Sequence, residues 1–527
     1  MRSCIVIGAG PGGIVCTKEL VEQGLDDVLC LEQAESLGGT FATTYDNLRL
    51  TSSAAFSMYS DFPIGDEETH YFWTKDEAVD YWTRYAEHYG VAERVRFGTR
   101  VESVRGVDGG WTVTTEDGET FQAKRLALAV GNNSVKRFPE WQSELSEIAT
   151  SHSQDYQNAE RFTGKRVLVV GGGESASDVA LEIARVAERS WVSLRSSAGW
   201  VVGRFGGPYA SDASTHRGLW GLPRRYGDSF SRRFMEVVGE SGTPLNNAIV
   251  QLNEMVESER GMWGIYGTKT LALPEAIADH ECQVVGEIVE VRDGERTLVD
   301  GHGTELDGVD EVVFCTGFKN RIDFMPAELQ TCDPRALYKH IFHPDLGDSL
   351  AWIGWARPGF GSQFPIMELQ ARYFALVATG QRTLPNTAER MRESKVDEAA
   401  YIDQFGGTAK SIRSLVDYHR YMDGIAKLIG CRPPLLRYLL TRPRTWVKIV
   451  YGPTQATQFR LTGPGRKVEL AHQILDDLPV SPYNYLVVEG LLGRVRQLLE
   501  APLPRALTNR IPWWSIRETA RRVGARV

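Results

Sequence analysis

The stretch Ile5-Val6-Ile7-Gly8-Ala9-Gly10-Pro11-Gly12-Gly13 decides the fold of the first part of the chain. An apolar run leads into a glycine turn, and the apolar spacing from Ile14 to Gln23 predicts a helix directly after it. A buried strand, a glycine turn and a helix present backbone N–H groups and a helix dipole to a pyrophosphate. We expect Gly8 to form the tight turn, Gly10 to let the backbone approach the phosphate, and Gly13 to let helix and strand pack closely.

An acidic residue ends the next predicted strand, Val28–Leu31. Glu32 stands about where a carboxylate can accept hydrogen bonds from a ribose diol. Strand, helix and acid come in the order that a dinucleotide-binding unit requires. The first unit therefore predicts a nucleotide site.

A second glycine unit follows in the middle of the chain. Arg166–Val170 is a predicted buried strand, and Gly171-Gly172-Gly173-Glu174-Ser175-Ala176 leads from it into a helical pattern that ends near Ala184. Ala176 replaces the third glycine, which a small residue can do. Gly171, Gly173 and Ser175 are the candidate phosphate contacts of this unit.

The two units differ in the charge expected beside the ribose. Arg195 follows Gly171 at the same distance along the chain as Glu32 follows Gly8, so we expect one structural position to carry opposite charges. An acid suits a free ribose diol, whereas Arg195 with Ser193 nearby suits a 2′-phosphate. The first site is predicted to hold FAD and the second NADPH. The alternative is an ordinary surface arginine after an ordinary strand.

Length, charge and cysteine usage restrict the class of protein. A chain of 527 residues suggests two or three domains. A formal net charge of −9 argues against nucleic acid as a partner. We see no transmembrane segment, and Met1 leads into a strand without a charged leader, so we expect a cytoplasmic protein. The seven cysteines form no C-x-x-C pair, which disfavours a disulfide reductase.

Two further apolar stretches, Arg125–Asn132 and Glu311–Phe318, each run into a glycine turn. We interpret them as the points where the chain leaves the FAD domain and returns to it, with Gly317 as a cofactor contact. The predicted fold is α/β with two Rossmann-like domains, the NADPH domain inserted in the FAD domain, and a helical C-terminal extension. The predicted divisions are 1–160 (FAD, first part), 161–310 (NADPH), 311–385 (FAD, second part) and 386–527 (helical).

A glycine-rich loop, Gly359–Pro365, opens the predicted helix Ile366–Val377. A helix N-terminus offers backbone donors and a positive dipole to the negative charge of reduced flavin. Gln363 is a candidate flavin contact on this basis, although an ordinary loop before an ordinary helix remains an equal interpretation. His340 and His343 have a metal-like spacing but no acidic or cysteine partners nearby, so we predict no metal site.

Several unrelated motifs resemble the flavin-containing monooxygenases of the dimethylaniline N-oxidising type, over nearly the whole length. Leu37–Phe41 is similar to the family's flavin-contacting GGxW with Phe41 in place of Trp, which implies that Gly39 and Thr40 contact the flavin. Further matches are Tyr45–Ser53 with Ser60–Pro63, His152–Tyr156, Asp417–Asp423 and Gln458–Gly465.

The resemblance implies the reaction. NADPH reduces FAD, O2 adds to give a flavin C4a-hydroperoxide, and a nucleophilic nitrogen or sulfur of a small organic substrate takes one oxygen atom. Thr51 stands where these enzymes usually have a catalytic Asn, and its neighbour Ser52 is the other candidate for that role. Baeyer–Villiger oxidation of a ketone is the nearest alternative. The sequence fingerprint of the enzymes that catalyse it ends in Trp, where this chain has Tyr156. An uncoupled NADPH oxidase and a flavin-binding regulatory protein are the others.

Two regions have no assigned role in this reaction. The insertion Gly199–Arg225 is longer than most connections and is therefore expected to be functional or mobile. Trp200 and Arg204 within it match a family W-x-x-x-R. The C-terminal tail is rich in arginine around Trp513 and Trp514, which suggests weak peripheral contact with an anionic membrane or with an acidic partner subunit. Relatives often form homodimers, so a homodimer is a further expectation.

Overall fold

The fold is built on two parallel sheets of five strands each. A computed structural model describes residues 1–478 and 480, apart from 65–68, 207–208, 222–224 and 259. In spatial order the first sheet contains Leu350–Trp352, Leu126–Leu128, Ile5–Ile7, Leu29–Leu31 and Val95–Arg96. The second contains Gln283–Val285, Arg189–Ser193, Arg166–Val170, Glu311–Phe314 and Ala149–His152. The strand before each glycine turn is the central strand of its sheet.

Smaller sheets flank these two. The alternating residues Val101–Val104 and Trp111–Thr115, joined by Val107–Gly110, predict an antiparallel hairpin, which is present with a third strand added to it. The smaller sheets are Val101–Val107 with Gly110–Thr115 and Thr120–Ala123; Ile288–Arg292 with Thr297–Asp300 and Glu305–Leu306; and the pairs Trp200–Val201 with Gly267–Thr268, Phe205–Gly206 with Tyr209–Ala210, Val135–Lys136 with Phe318–Lys319, and Arg357–Pro358 with Leu415–Val416.

The α-helices cover both sheets and form most of the C-terminal region. They are Pro11–Glu22, Thr40–Thr43, Ala54–Ser57, Lys75–His88, Glu174–Ala184, Arg217–Trp220, Arg225–Gly239, Pro244–Glu254, Ala272–Asp279, Ala327–Gln330, Gln363–Ala378, Thr387–Phe405, Gly407–Ser411, Tyr418–Ile429, Leu435–Thr441, Pro443–Tyr451 and Val468–Asp477. None of these helices combines the length and the apolar character needed to cross a bilayer.

One predicted strand belongs to the other sheet. Glu311–Phe314 pairs in parallel with Arg166–Val170, so it is part of the second sheet and does not return the chain to the first. That prediction was wrong because an apolar run before a glycine fits beside the central strand of either sheet. The chain rejoins the first sheet at Leu350–Trp352, which pairs with Leu126–Leu128.

Buried charges tie the C-terminal region to the first sheet's helices. The guanidinium of Arg460 is fully buried, and its Nη2 lies 2.5 Å from Glu19 Oε1 and 2.9 Å from Glu368 Oε1. Lys18 Nζ lies 2.6 Å from Asp61 Oδ2 in the same cluster. The first helix, the Gln363–Ala378 helix and the segment around Arg460 are therefore fixed to one another.

The polar residues Asp66–Glu68 predict a loop, and the apolar spacing over Asn484–Leu499 predicts a helix. Both lie outside the described residues, as does the basic tail with Trp513 and Trp514.

Candidate active site

The first glycine turn has the geometry that its residues predict. Gly8 has φ +100°, and a Cβ there would lie 2.7 Å from the Ala129 carbonyl oxygen. A Cβ at Gly13 would lie 1.8 Å from the Gly8 carbonyl oxygen, so the helix can approach the strand only because Gly13 has no side chain. Gly10 caps the Pro11–Glu22 helix, and a Cβ on it would have its nearest neighbour, Gly39 Cα, at 3.7 Å. The backbone at Gly10 is thus open to a phosphate.

Glu32 is buried at the edge of this turn. Its carboxylate accepts the Ala9 N–H at 2.6 Å and the Ala34 N–H at 2.9 Å. A carboxylate has about four acceptor positions, so it retains capacity for a ribose diol. The acid that the sequence predicts therefore lies directly against the glycine turn.

The GGxW-like segment packs beside the same turn. Gly39 has φ +57°, and a Cβ on it would lie 3.1 Å from Gly10 Cα. Thr40 is exposed and begins the short Thr40–Thr43 helix. The ring of Phe41 lies 5.1 Å from that of Trp82 and 6.1 Å from that of Phe364, so Phe41 is a packing residue.

The second glycine turn repeats the first. Gly171 has φ +133°, and a Cβ on it would lie 2.4 Å from the Cys315 carbonyl oxygen. Gly173 caps the Glu174–Ala184 helix, and a Cβ on it would meet nothing within 4 Å, so this backbone is also open to a phosphate. Ser175 is exposed in the first turn of that helix.

The ribose positions of the two units differ by one residue. Ile7 pairs with Leu31 in the first sheet, and Val170 pairs with Ser193 in the second. The counterpart of Glu32 is therefore the buried Leu194, and the exposed Arg195 follows one residue later. The expectation that equal chain spacing gives the same structural position was wrong. The segment between the two paired strand ends is one residue shorter in the second unit, from Val170 to Ser193, than in the first, from Ile7 to Leu31.

Two more predicted nucleotide contacts make hydrogen bonds with the protein backbone. The hydroxyl of Ser193 is buried and donates to the Gly286 carbonyl at 2.7 Å. The Gly317 carbonyl accepts from Arg137 N–H at 3.0 Å and from His152 Nε2 at 3.1 Å. Gly317 has φ +78° and, like Gly131 in the first unit, forms the turn that follows its strand.

The helix that was predicted to face the flavin begins at Gln363. Gln363 Nε2 donates to the Gly354 carbonyl at 2.7 Å, which places the helix start at the end of the first sheet's edge strand. Ser362 is the N-cap, and its hydroxyl lies 3.3 Å from the Ser52 hydroxyl. The structure thus brings the helix start and the predicted Thr51–Ser52 pair together.

Thr51 and Ser52 lie in a turn between residues held from elsewhere in the chain. Ser52 is buried and its hydroxyl lies 3.0 Å from that of Ser57, whereas Thr51 is half-buried. Arg204 donates to the carbonyls of the two residues before Thr51. The residue after Ser52 donates its N–H to Asp212.

Two carboxylates of the Glu174–Ala184 helix accept tyrosine hydroxyls. Asp178 accepts the Tyr45 hydroxyl at 2.9 Å, and Glu182 accepts the Tyr156 hydroxyl at 2.5 Å. Burial, with the nearby carboxylate, raises the pKa of each tyrosine, so both stay protonated donors at neutral pH. Both contacts reach motifs that carried the family resemblance.

A cavity of about 900 Å³ lies between these elements. It is lined by four cationic residues and three acidic residues, namely Arg49, Arg185, Arg204, Lys269, Asp178, Glu182 and Glu275. Asp178 and Glu182 are the acids already bonded to tyrosines. The cavity therefore has both charge signs and adjoins the segment that leads to Thr51.

Comparison with known proteins identifies the family. A family model described as flavin-binding monooxygenase-like matches residues 1–478. The chain belongs to this family. It is 32% identical over 517 residues to a 4-hydroxybenzoate brominase (decarboxylating) of Pseudoalteromonas luteoviolacea, covering 94% of this chain and 98% of that one. It is 30% identical to flavin-containing monooxygenase 5 of Oryctolagus cuniculus, covering 88% and 89%.

The fold agrees with solved flavin monooxygenases. The S-allyl-L-cysteine S-oxygenase of Allium sativum matches with a TM-score of 0.59 at 20% identity, over 84% of this chain and 94% of that one. The predicted family and the two-domain α/β fold are confirmed. As a member of the flavin-binding monooxygenase-like family, the chain is an oxidoreductase with FAD and NADPH as its cofactors.

Sequence reasoning missed several residues that contact the Thr51–Ser52 turn or its neighbours. Asp212 and Lys269 gave no signal, because their partners are more than fifty positions away in sequence. Arg204 was predicted only as part of the W-x-x-x-R motif.

His340, one of the two histidines with metal-like spacing, is buried and packs against the rings of Tyr401 and Tyr421.

Proposed function

We propose that this chain is an NADPH- and O2-dependent monooxygenase that adds one oxygen atom to a nucleophilic nitrogen or sulfur of a small organic substrate. The observation that carries the proposal is a pair of open glycine turns, with Glu32 beside the first and Arg195 near the second. Two dinucleotides can then meet in one chain, which is what hydride transfer from NADPH to a flavin requires.

The residues of the chain fit the two cofactors. Bound FAD would supply the redox chemistry, accepting a hydride from NADPH and passing one oxygen atom of O2 to the substrate. Gly10 and Gly173 leave room for the pyrophosphates, and Glu32 retains acceptor capacity for a ribose. The N–H groups at the start of the Gln363–Ala378 helix would stabilise negative charge on the flavin ring.

Thr51 and Ser52 are the proposed catalytic residues. Each hydroxyl can donate one hydrogen bond and accept others, whereas an amide both donates and accepts at fixed atoms. Ser52 shares its hydroxyl with Ser57 and Ser362, so the half-buried Thr51 is the one expected to donate to bound oxygen. Their buried surroundings would exclude water from the reacting atoms.

A second candidate function is oxidation of bromide to hypobromite, which would then brominate a phenol. The brominase relative matches almost the full length of both chains, and this favours a related reaction. The cationic side chains of Arg49 and Arg185, which line the cavity, suit an anion such as bromide or an aromatic carboxylate.

Rapid mixing tests both candidates. The FAD-loaded protein is reduced anaerobically with NADPH and mixed with oxygenated buffer, while flavin absorbance is recorded. We expect the oxidised flavin spectrum to return slowly, and the true substrate to increase the rate of that return. Amines, sulfides, ketones, and bromide with 4-hydroxybenzoate are then screened under 18O2, with mass spectrometry of the products. An amine or sulfide product that carries one labelled atom supports N- or S-oxygenation, a labelled ester from a ketone contradicts it, and brominated product supports the second candidate. Recovery of all electrons as H2O2 with every substrate would refute both.

A further inference from the structure

The turn that carries Thr51 and Ser52 is held at one end by an arginine of the Gly199–Arg225 insertion. Arg204 donates from Nε to the Leu50 carbonyl at 3.1 Å and from Nη2 to the Arg49 carbonyl at 3.0 Å. A guanidinium is a planar fork of fixed geometry, so two such bonds set the direction of both carbonyls. The backbone that enters Thr51 therefore has a fixed orientation.

An aspartate of the same insertion holds the other end. Asp212 Oδ2 accepts the Ser53 N–H at 2.7 Å, and Asp212 is almost completely buried. Its charge is balanced by Lys269, whose Nζ lies 3.2 Å from the same oxygen and which is itself buried. A buried carboxylate needs such a partner to remain ionised, and an ionised carboxylate is the stronger acceptor.

The contacts continue to the second glycine turn. Glu174, the first residue of the helix after that turn, accepts the backbone N–H groups of Lys269 and Thr270 at 2.7 and 3.0 Å. Direct contacts thus run from the helix start at the predicted NADPH site, through Lys269 and Asp212, to Ser53.

On the basis of the proposed function, we propose that Asp212 and Arg204 are positioning residues that orient Thr51 and Ser52 toward the flavin. Neither residue needs to touch a cofactor. The Ser362 hydroxyl, 3.3 Å from that of Ser52, limits the turn from the side of the Gln363–Ala378 helix. The insertion therefore has a defined role: it supplies both side chains that fix the turn.

The test compares full-length FAD-loaded variants by two signals, the visible circular dichroism of the bound flavin and the rate at which oxidised flavin returns after reduction by NADPH and mixing with O2. Asp212→Ala should alter the dichroism and speed the return about tenfold, since displacement of a reacting group by about 1 Å can cost up to about a hundredfold. Asp212→Asn retains an oxygen that can accept the Ser53 N–H, so it should lie between Ala and wild type.

Arg217→Met is the matched control. Arg217 lies in the same insertion, but its side chain bonds to Asp423 at 2.6 Å and to Gln458 at 3.2 Å and not to the turn, so its loss should leave both signals unchanged. The proposal is overturned if Asp212→Ala matches wild type in both signals, or if Arg217→Met changes them equally.

If Asp212→Ala does not fold, Arg204→Lys replaces it in the test. It retains the charge but not the two-pronged geometry, so it should shift both signals in the same direction as Asp212→Ala, and unchanged signals would contradict the proposal. If wild type is not reduced by NADPH, the proposed function fails, while the dichroism of the oxidised, FAD-loaded variants still decides whether these residues position the turn.

Discussion

Replacing Arg460 by Met should greatly destabilise the fold, because the guanidinium is the centre of a buried ion cluster. Its Nη2 lies 2.5 Å from Glu19 and 2.9 Å from Glu368. Its Nε donates to the Ser60 hydroxyl at 2.6 Å, and its Nη1 donates to the Gly465 carbonyl at 2.9 Å. Methionine replaces only the aliphatic part of the arginine side chain and has no charge and no donor. The variant would leave two buried carboxylates without their shared partner.

The expected loss in free energy of unfolding is about 3–5 kcal/mol, the usual cost of removing one partner from a buried ion pair. Arg466→Met is the control, since Arg466 is an exposed neighbour and such surface changes usually stay within about 0.5 kcal/mol. Both are measured by urea unfolding of the full-length protein at pH 7. A loss below about 1 kcal/mol for Arg460→Met would refute the assigned role of the cluster.

The pH dependence provides a second check on the same variant. Burial by itself raises the pKa of Asp61 and Glu19, but Arg460 and Lys18 more than offset this and hold both pKa values below their ordinary range. Wild type therefore retains this stability above about pH 4, the region of the unfolded pKa values, and loses it at lower pH. Without Arg460 both carboxyl groups take up protons at higher pH. The stability gap between wild type and variant should narrow as the pH is lowered from 7 toward 4.

Three further predictions use other parts of the structure. Arg195→Ala should weaken NADPH binding about 10- to 100-fold with little effect on NADH, as measured by titration of flavin reduction, and equal losses would exclude a 2′-phosphate contact. Gly13→Ala should cost about 3 kcal/mol of unfolding free energy in urea, because its Cβ would overlap the Gly8 carbonyl; a Cβ at Gly10 would make only ordinary contact, 3.7 Å from Gly39 Cα, so Gly10→Ala should unfold like wild type but bind FAD poorly. Burial lowers the pKa of His216 to about 4 from its ordinary 6.5, so stability should fall, by on the order of 3 kcal/mol, as pH drops from 6.5 to 4, and His216→Gln should flatten this dependence.

The parts of the fold that depend on local sequence were predictable. The two glycine turns were found because tight turns and close helix packing need glycine at particular positions, and Gly8 and Gly171 do have positive φ. The strand Arg166–Val170 has the predicted bounds, because a continuous apolar run between turn residues is typical of a buried parallel strand. The predicted helix Ile366–Val377 is present, but it begins at Gln363, inside the predicted Gly359–Pro365 loop, because Ser362 caps it there.

The parts that depend on distant partners were not predictable. Glu311–Phe314 has the same apolar character as the strands of both sheets, so only the folded chain decides which central strand it joins. Asp212 looks like any loop aspartate until Ser53 and Lys269 are placed beside it. An isolated sequence records which side chains can pair, but the pairing itself follows from tertiary packing.

The one-residue offset between the two units bears on cofactor choice. Glu32 lies directly after the strand end in the first unit, where its charge would repel a 2′-phosphate. Leu194 occupies that place in the second unit and is buried, so no acid of the strand end opposes a phosphate there. Arg195 follows in an exposed position, where its positive charge would attract a 2′-phosphate. The absence of an acid at Leu194 and the presence of Arg195 both favour NADPH. Arg195→Ala removes only the second of these, so it should weaken NADPH binding without abolishing it. Leu194→Glu, which restores the acid, should disfavour NADPH even with Arg195 in place, as a comparison of NADPH and NADH titrations of the two variants would show.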